Sequence, residues 1–179
     1  MIKKLGSKPP VHTIVIRDFV LFCLGRALRL TTCDDVYSQI KQYRLIYKKE
    51  LLAQGHSFKS IERVMQVAKQ KIEDLMQKIK VDNTLSDTEY SNVKSFFANY
   101  VNDSRMIELM KKKNSNSAMP EDSDMKILAK ALNFQNLWFV TTDGHFKVLW
   151  VEIEQQFGIE VVTDDTGHRK MDELKKQLK

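Results

Sequence analysis

The chain has 179 residues, 42% of them apolar, enough for one compact domain with a full core and too few for two large ones. No apolar stretch reaches the length of a membrane span, and the start MIKKLGSKPP has positive charge without an apolar export signal directly behind it; a single domain over 1–179, cytoplasmic and away from membranes, is expected. Lys and Arg outnumber Asp and Glu by 29 to 23, which favours polyanions as partners, while the two dissimilar cysteines, Cys23 and Cys33, suggest neither a disulfide framework nor a zinc site.

The β-branched run His12–Ile16 reads as a strand that ends at Arg17-Asp18 and passes into a helix from Phe19. Those two charges also keep Thr13–Leu24 from reading as a span or export signal. Thr31-Thr32 suits the cap of a helix beginning near Asp34, with Val36, Ile40, Tyr43, Tyr47 and Leu51 on one face; Gly55 ends it and Ser57 starts another. That next helix has the clearest period in the sequence, Ile61, Val64, Met65, Ala68, Ile72, Leu75, Met76 and Ile79, with methionines as core filler. Ser86-Asp-Thr-Glu is a capping box, Asp103 or Ser104 caps a short helix ending at Lys111–Lys113, and Asn114–Ala118 is a loop. From Lys41 to Lys80 ten Lys or Arg face four Asp or Glu, either a phosphate-tracking surface or ordinary solvated helix faces.

The last third changes character. Asp122–Asn133 reads as a helix, Leu137–Thr141 as a buried strand, His145–Phe157 as a helix closed by Gly158, and Ile159–Thr163 as a second strand. This alternation marks a parallel sheet with crossover helices, hence an α/β class. Ligands of such sheets gather beyond the carboxyl ends of the strands. Asp18 and Asp143 both belong to that edge, and Glu121, Asp122 and Asp124 open the helix just before the second strand. Singly, Thr-Thr-Asp-Gly is a strand-to-turn junction with Gly144 supplying backbone freedom, and first-turn acids complement a helix dipole. Gathered together, such carboxylates repel one another unless a hard cation, Mg²⁺ or Mn²⁺, neutralises them.

VIRDFVLF (15–22), DMKILAKA (124–131), VTTDGHF (140–146) and GIEVV (158–162) together resemble the landmarks of PIN-domain nucleases, closely over 119–163 and loosely at the N-terminal end. The resemblance implies a PIN-like doubly wound parallel sheet flanked by helices, here with an extended basic helical insertion or arm over about 41–113. It implies an RNA hydrolase whose Mg²⁺ or Mn²⁺ is held by Asp18, Asp124 and Asp143, with Asp122 as a further ligand. RNA would then lie along Lys41, Arg44, Lys48 and Lys49. Many such proteins are toxins paired with an antitoxin, so a protein partner or a homodimer also stays open. One departure points elsewhere: Gln39 stands where the pattern has a glutamate, with Asp35 one turn away as a substitute. It keeps alive a catalytically degenerate fold that binds RNA or a protein without cutting; a DNA-directed nuclease is the third reading. Tyr43, Tyr47 and His56 stack bases or line the rim, and His145 reads better as a surface histidine than as a general acid.

Overall fold

A computed structural model of the protein describes residues 11–26, 28–134 and 138–177, with the side chains at 11–17 and 41–44 outside the described set. In chain order the elements are α1 (Val11–Gly25), β1 (Thr31–Thr32), α2 (Asp34–Ala53), α3 (Phe58–Met76), β2 (Lys80–Val81), α4 (Asp87–Asn99), α5 (Ser104–Lys112), α6 (Asp122–Asn133), β3 (Trp138–Val140), α7 (Gly144–Val148), α8 (Trp150–Phe157), β4 (Glu160–Val162) and α9 (Gly167–Gln177). The chain divides into two compact units, one holding Leu28–Asn83 and the other holding α1 and everything from Thr84 onward. The helical stretch expected as a single arm is therefore shared: α2 and α3 belong to the first unit, α4 and α5 to the second. None of the described helices is long and apolar enough to cross a membrane.

The structure is dominated by helices, with strands that are short and parallel. Among the described residues they form two separate pairs, β1 with β2 and β3 with β4, in place of the doubly wound sheet expected from the sequence. The largest departure is at the N-terminal end, where His12–Ile16 is helical and continuous with Phe19–Cys23. β-branched residues lower helix propensity by only a few tenths of a kcal/mol each, and packing overrides that. Phe19 and Cys23, one turn apart, are both buried, and α1 lies against α9.

In the first unit α2 and α3 form a helical hairpin. Ser57 caps α3 through its side chain, as expected. The start of α2 differs from expectation: Thr31 and Thr32 are strand residues, and Cys33 precedes the helix without a side-chain cap. The missing acceptor comes from Asn83, whose Oδ1 accepts from Asp34 N at 2.8 Å while its Nδ2 donates to Asp34 Oδ2 at 2.7 Å.

The second unit holds the larger core. Met125, Leu128 and Ala129 recur at helical spacing on α6 and bury against Val93, Phe96 and Phe97 of α4. Three rings, Phe97, Phe146 and Phe139, meet edge to face with centroids 5.5 and 5.1 Å apart, joining α4, α7 and β3. Val161 and Val162 point to opposite faces of β4, and both are fully buried, so this strand is covered on both sides.

Candidate functional site

β3 and β4 run parallel with Phe139 beside Val161, and the ladder gains one more bond where Thr141 N donates to Val162 O at 3.0 Å. The chain then turns sharply. Thr141 Oγ1 accepts from Asp143 N at 3.1 Å, and Asp143 caps α7, its Oδ1 accepting from His145 N at 2.8 Å. The same oxygen lies 2.8 Å from His145 Nδ1, and Oδ2 accepts from Lys113 Nζ at 2.9 Å. Burial pushes the Asp143 carboxyl up, but hydrogen bonds from the His145 ring, from Lys113 and from the His145 N–H outweigh it and hold the group well below the usual carboxylate range. Asp143 is therefore a fixed negative charge at the end of a parallel strand.

Gly144 has a role the sequence reading did not give it. Its φ is not in the left-handed region, where Gly55 and Gly158 lie, so the turn does not depend on glycine's backbone freedom. Space is what it supplies: a Cβ at 144 would stand 2.8 Å from Leu109 Cδ1 and 3.2 Å from Cδ2. α5 packs over the turn at this point, its Leu109 side chain against Gly144, and Lys113, just past the end of that helix, reaches Asp143. Arg105 fixes the other end of α5, donating to Glu152 Oε1 at 2.7 Å, to Val148 O at 3.2 Å and to both oxygens of Asp103.

His145 is only 6% exposed, which corrects the surface placement expected from the sequence. With Nδ1 against Asp143, its Nε2 is buried and finds no hydrogen-bond partner among the described residues. β4 ends in a similar way. Thr163 and Thr166 are buried and bonded to each other, and the next carboxylates, Asp164 and Asp165, lie 3.0 and 2.9 Å from Lys147 of α7. Lys147 is held above its ordinary value: burial lowers it, and the bonds to Asp165 and Asp164 more than compensate. Asp164, Asp165 and Lys147 are not singled out by the sequence reading, which marks Lys113 only as part of the basic cluster Lys111–Lys113. The signal was present, since an acidic residue follows each of the two apolar runs within three positions of the strand end.

The other expected site residues sit as follows. Asp124 is in the first turn of α6, its N–H donating to Glu121 O at 3.0 Å. Asp122, next to it, is exposed, bonded to the Tyr90 hydroxyl and 2.6 Å from Lys126 Nζ; Lys126 first, then Tyr90, hold it below the usual range. Asp18 lies within helix α1 of the same unit, not at a strand end. Gln39 and Asp35 are on α2 of the first unit. Of the expected RNA contacts, Lys48 is paired with Glu62 at 2.7 Å and lies over the Phe58 ring, Lys49 is exposed, and the side chains of Lys41 and Arg44 lie outside the described set, as does that of Tyr43.

As a charged oxygen donor that already holds an ammonium group against Oδ2, Asp143 suits a hard cation in its chemistry. Among the described residues, no three His, Cys, Asp or Glu side chains are grouped so as to hold a metal ion. Compared with protein-family models, with curated proteins and with solved structures, the chain matches nothing.

Proposed function

We propose that the protein is an RNA hydrolase of the PIN type, with its chemistry in the second unit and a backbone-holding surface in the first. The observation that carries this reading is Asp143, a carboxylate kept ionised just beyond the end of a buried parallel strand, where ligands of such folds are bound. Asp124 supports it by its order in the chain, because it lies in the first turn of the helix that leads into β3, the strand before Asp143. Asp18, Asp124 and Asp143, with Asp122 as a further ligand, are the residues that would hold Mg²⁺ or Mn²⁺ in this reading. Such an ion would supply an activated water and a clamp on the scissile phosphate.

The chain's own groups have separate tasks. Lys113 and Lys147 balance the carboxylates of the strand edge and present positive charge to a phosphate. His145 and the α7 N-terminus hold Asp143 in one orientation. The charge surplus lies outside the second unit, whose described stretches hold 14 Lys or Arg against 16 Asp or Glu, whereas residues 28–83 hold 11 against 7. Exposed Lys49, Lys71 and Lys78 are the phosphate contacts of this reading.

A second reading, RNA binding without cleavage, is favoured by one observation: both Asp143 oxygens already have partners, His145 and Lys113. Incubating total RNA with the protein in Mg²⁺, Mn²⁺ or EDTA separates the two. Cleavage that needs the divalent ion and disappears in Asp143→Asn supports hydrolysis. RNA retention with no cleavage in either metal supports the second reading, and cleavage unchanged in Asp143→Asn removes this site from the reaction.

A further inference from the structure

One face of the α2–α3 hairpin is left uncovered in a way that phosphate binding does not account for. The core cluster of the first unit is small: Leu51, Ile61 and Met65, with Val64 against them. Large apolar side chains of the same two helices stay outside it, Leu45 at 64%, Leu52 at 45% and Phe58 at 61% exposure. Leu45, Lys48 and Leu52 are spaced i, i+3, i+7 and so share one face of α2. Lys48 joins this face to α3, its Nζ lying 5.0 Å from the Phe58 ring centre and 2.7 Å from Glu62. Leu45, Leu52 and Phe58 thus make an exposed apolar ridge joined through Lys48, with Lys49 one turn from Leu45, Lys59 next to Phe58 and the nearby carboxylate of Glu62 already taken by Lys48.

We infer that this ridge docks an acidic amphipathic helix of a partner protein, whose apolar stripe covers Leu45, Leu52 and Phe58 and whose carboxylates face Lys49 and Lys59. Aliphatic side chains give nucleic-acid bases no stacking platform, so RNA would leave Leu45 and Leu52 in water. A second copy packed ridge against ridge would set Lys49 and Lys59 against the same lysines of its partner, like charge on like. An acidic helix meets both conditions, because a helix lying on an exposed ridge buries i, i+3, i+7 anchors and complements its basic border. The inference does not depend on catalysis in the second unit.

The test uses the full chain and a labelled synthetic helix of about 20 residues, with Leu at i, i+3 and i+7 positions and Glu at the remaining exposed ones. Controls are the same peptide with Lys for Glu, a single-stranded RNA, and vesicles containing anionic lipid. The acidic peptide is expected to bind at least about tenfold more tightly than the Lys version, and to lose at least about tenfold in Leu45→Ser/Phe58→Ser and in Lys49→Glu/Lys59→Glu. RNA binding is expected to survive the serine pair unchanged. Circular dichroism checks that the variants fold; the serine pair alters exposed side chains only. Absence of acidic-peptide binding, or binding indifferent to the serine pair, overturns the inference. Vesicle binding or self-association that the serine pair abolishes while peptide binding persists overturns it too, in favour of a membrane or a second copy.

Discussion

Lys113 Nζ stands 2.9 Å from Asp143 Oδ2 although thirty residues separate them, and Leu109 of the same helix α5 lies over Gly144 in between. A β-carbon at 144 would stand 2.8 Å from Leu109 Cδ1, so that the end of the leucine side chain would have to shift for the two charges to stay together.

Gly144→Val tests this relationship. The added carbons meet Leu109, and the cost expected from overpacking is about 1–3 kcal/mol in urea unfolding. Leu109→Ala in the same chain should return part of that loss, so the double-mutant cycle is positive. A Gly144→Val protein as stable as the wild type would show that α5 moves away without consequence.

Asp143 sets a pH dependence. Its carboxyl is depressed below the ordinary value of 3.8, so the stabilisation is complete above the unfolded value and is lost as the pH falls from there toward the lower folded one. Asp143→Ala removes the cap and the charge and should cost about 1–3 kcal/mol at pH 7. Asp143→Asn keeps a capping oxygen and should cost less. The gap between wild type and either variant should shrink below about pH 4. A gap that is constant from pH 7 to pH 3 would show that the charge adds nothing.

Lys170 is almost fully buried on α9, where its ammonium is shared between Glu154 and Glu160. The carboxylates left behind are partly exposed and water can solvate them, so Lys170→Ala should cost less than breaking a fully buried pair, about 1–2 kcal/mol. Lys170→Met retains the aliphatic packing and should cost less. Denaturant midpoints for the pair of variants decide this; equal losses would assign the effect to the charge alone.

Asn83 caps α2 from 49 residues away. Asn83→Ala should cost about 0.5–2 kcal/mol, felt first in the opening turn of α2. Hydrogen exchange at the Asp34 amide, and at 35–38 after it, is the direct readout. Protection there equal to the wild type would mean that solvent replaces the cap at no cost.

Much of the second unit could be read from the sequence, because its signals are local. The helix Asp122–Asn133 has the predicted limits, Ser86 and Asp103 cap the helices they were expected to cap, and both predicted strands of the last third form, slightly shortened. What was not legible depends on contacts distant in sequence. His145 is buried although nothing beside it in the chain indicates this. Asn83 is an unremarkable loop residue until β2 brings it to the start of α2. His12–Ile16 has a strand's composition and becomes helical because Phe19 and Cys23 bury on the same helix. The tail around α9 showed only its charge, while Lys170 and Leu174 are in fact enclosed. For the candidate site, Asp143 and its turn were visible, whereas Lys113, which pairs with it, comes from α5, thirty residues earlier in the chain.

The smaller of the two sheets among the described residues has the widest architectural consequence. β1 and β2 pair side by side, Thr31 with Lys80 and Thr32 with Val81, so the chain leaves for the α2–α3 hairpin and returns from it within one strand spacing, about 4.8 Å. A segment whose ends are already stitched together behaves as a cassette: it can be lengthened, exchanged or cut out and its ends rejoined by a few residues without stretching what flanks it.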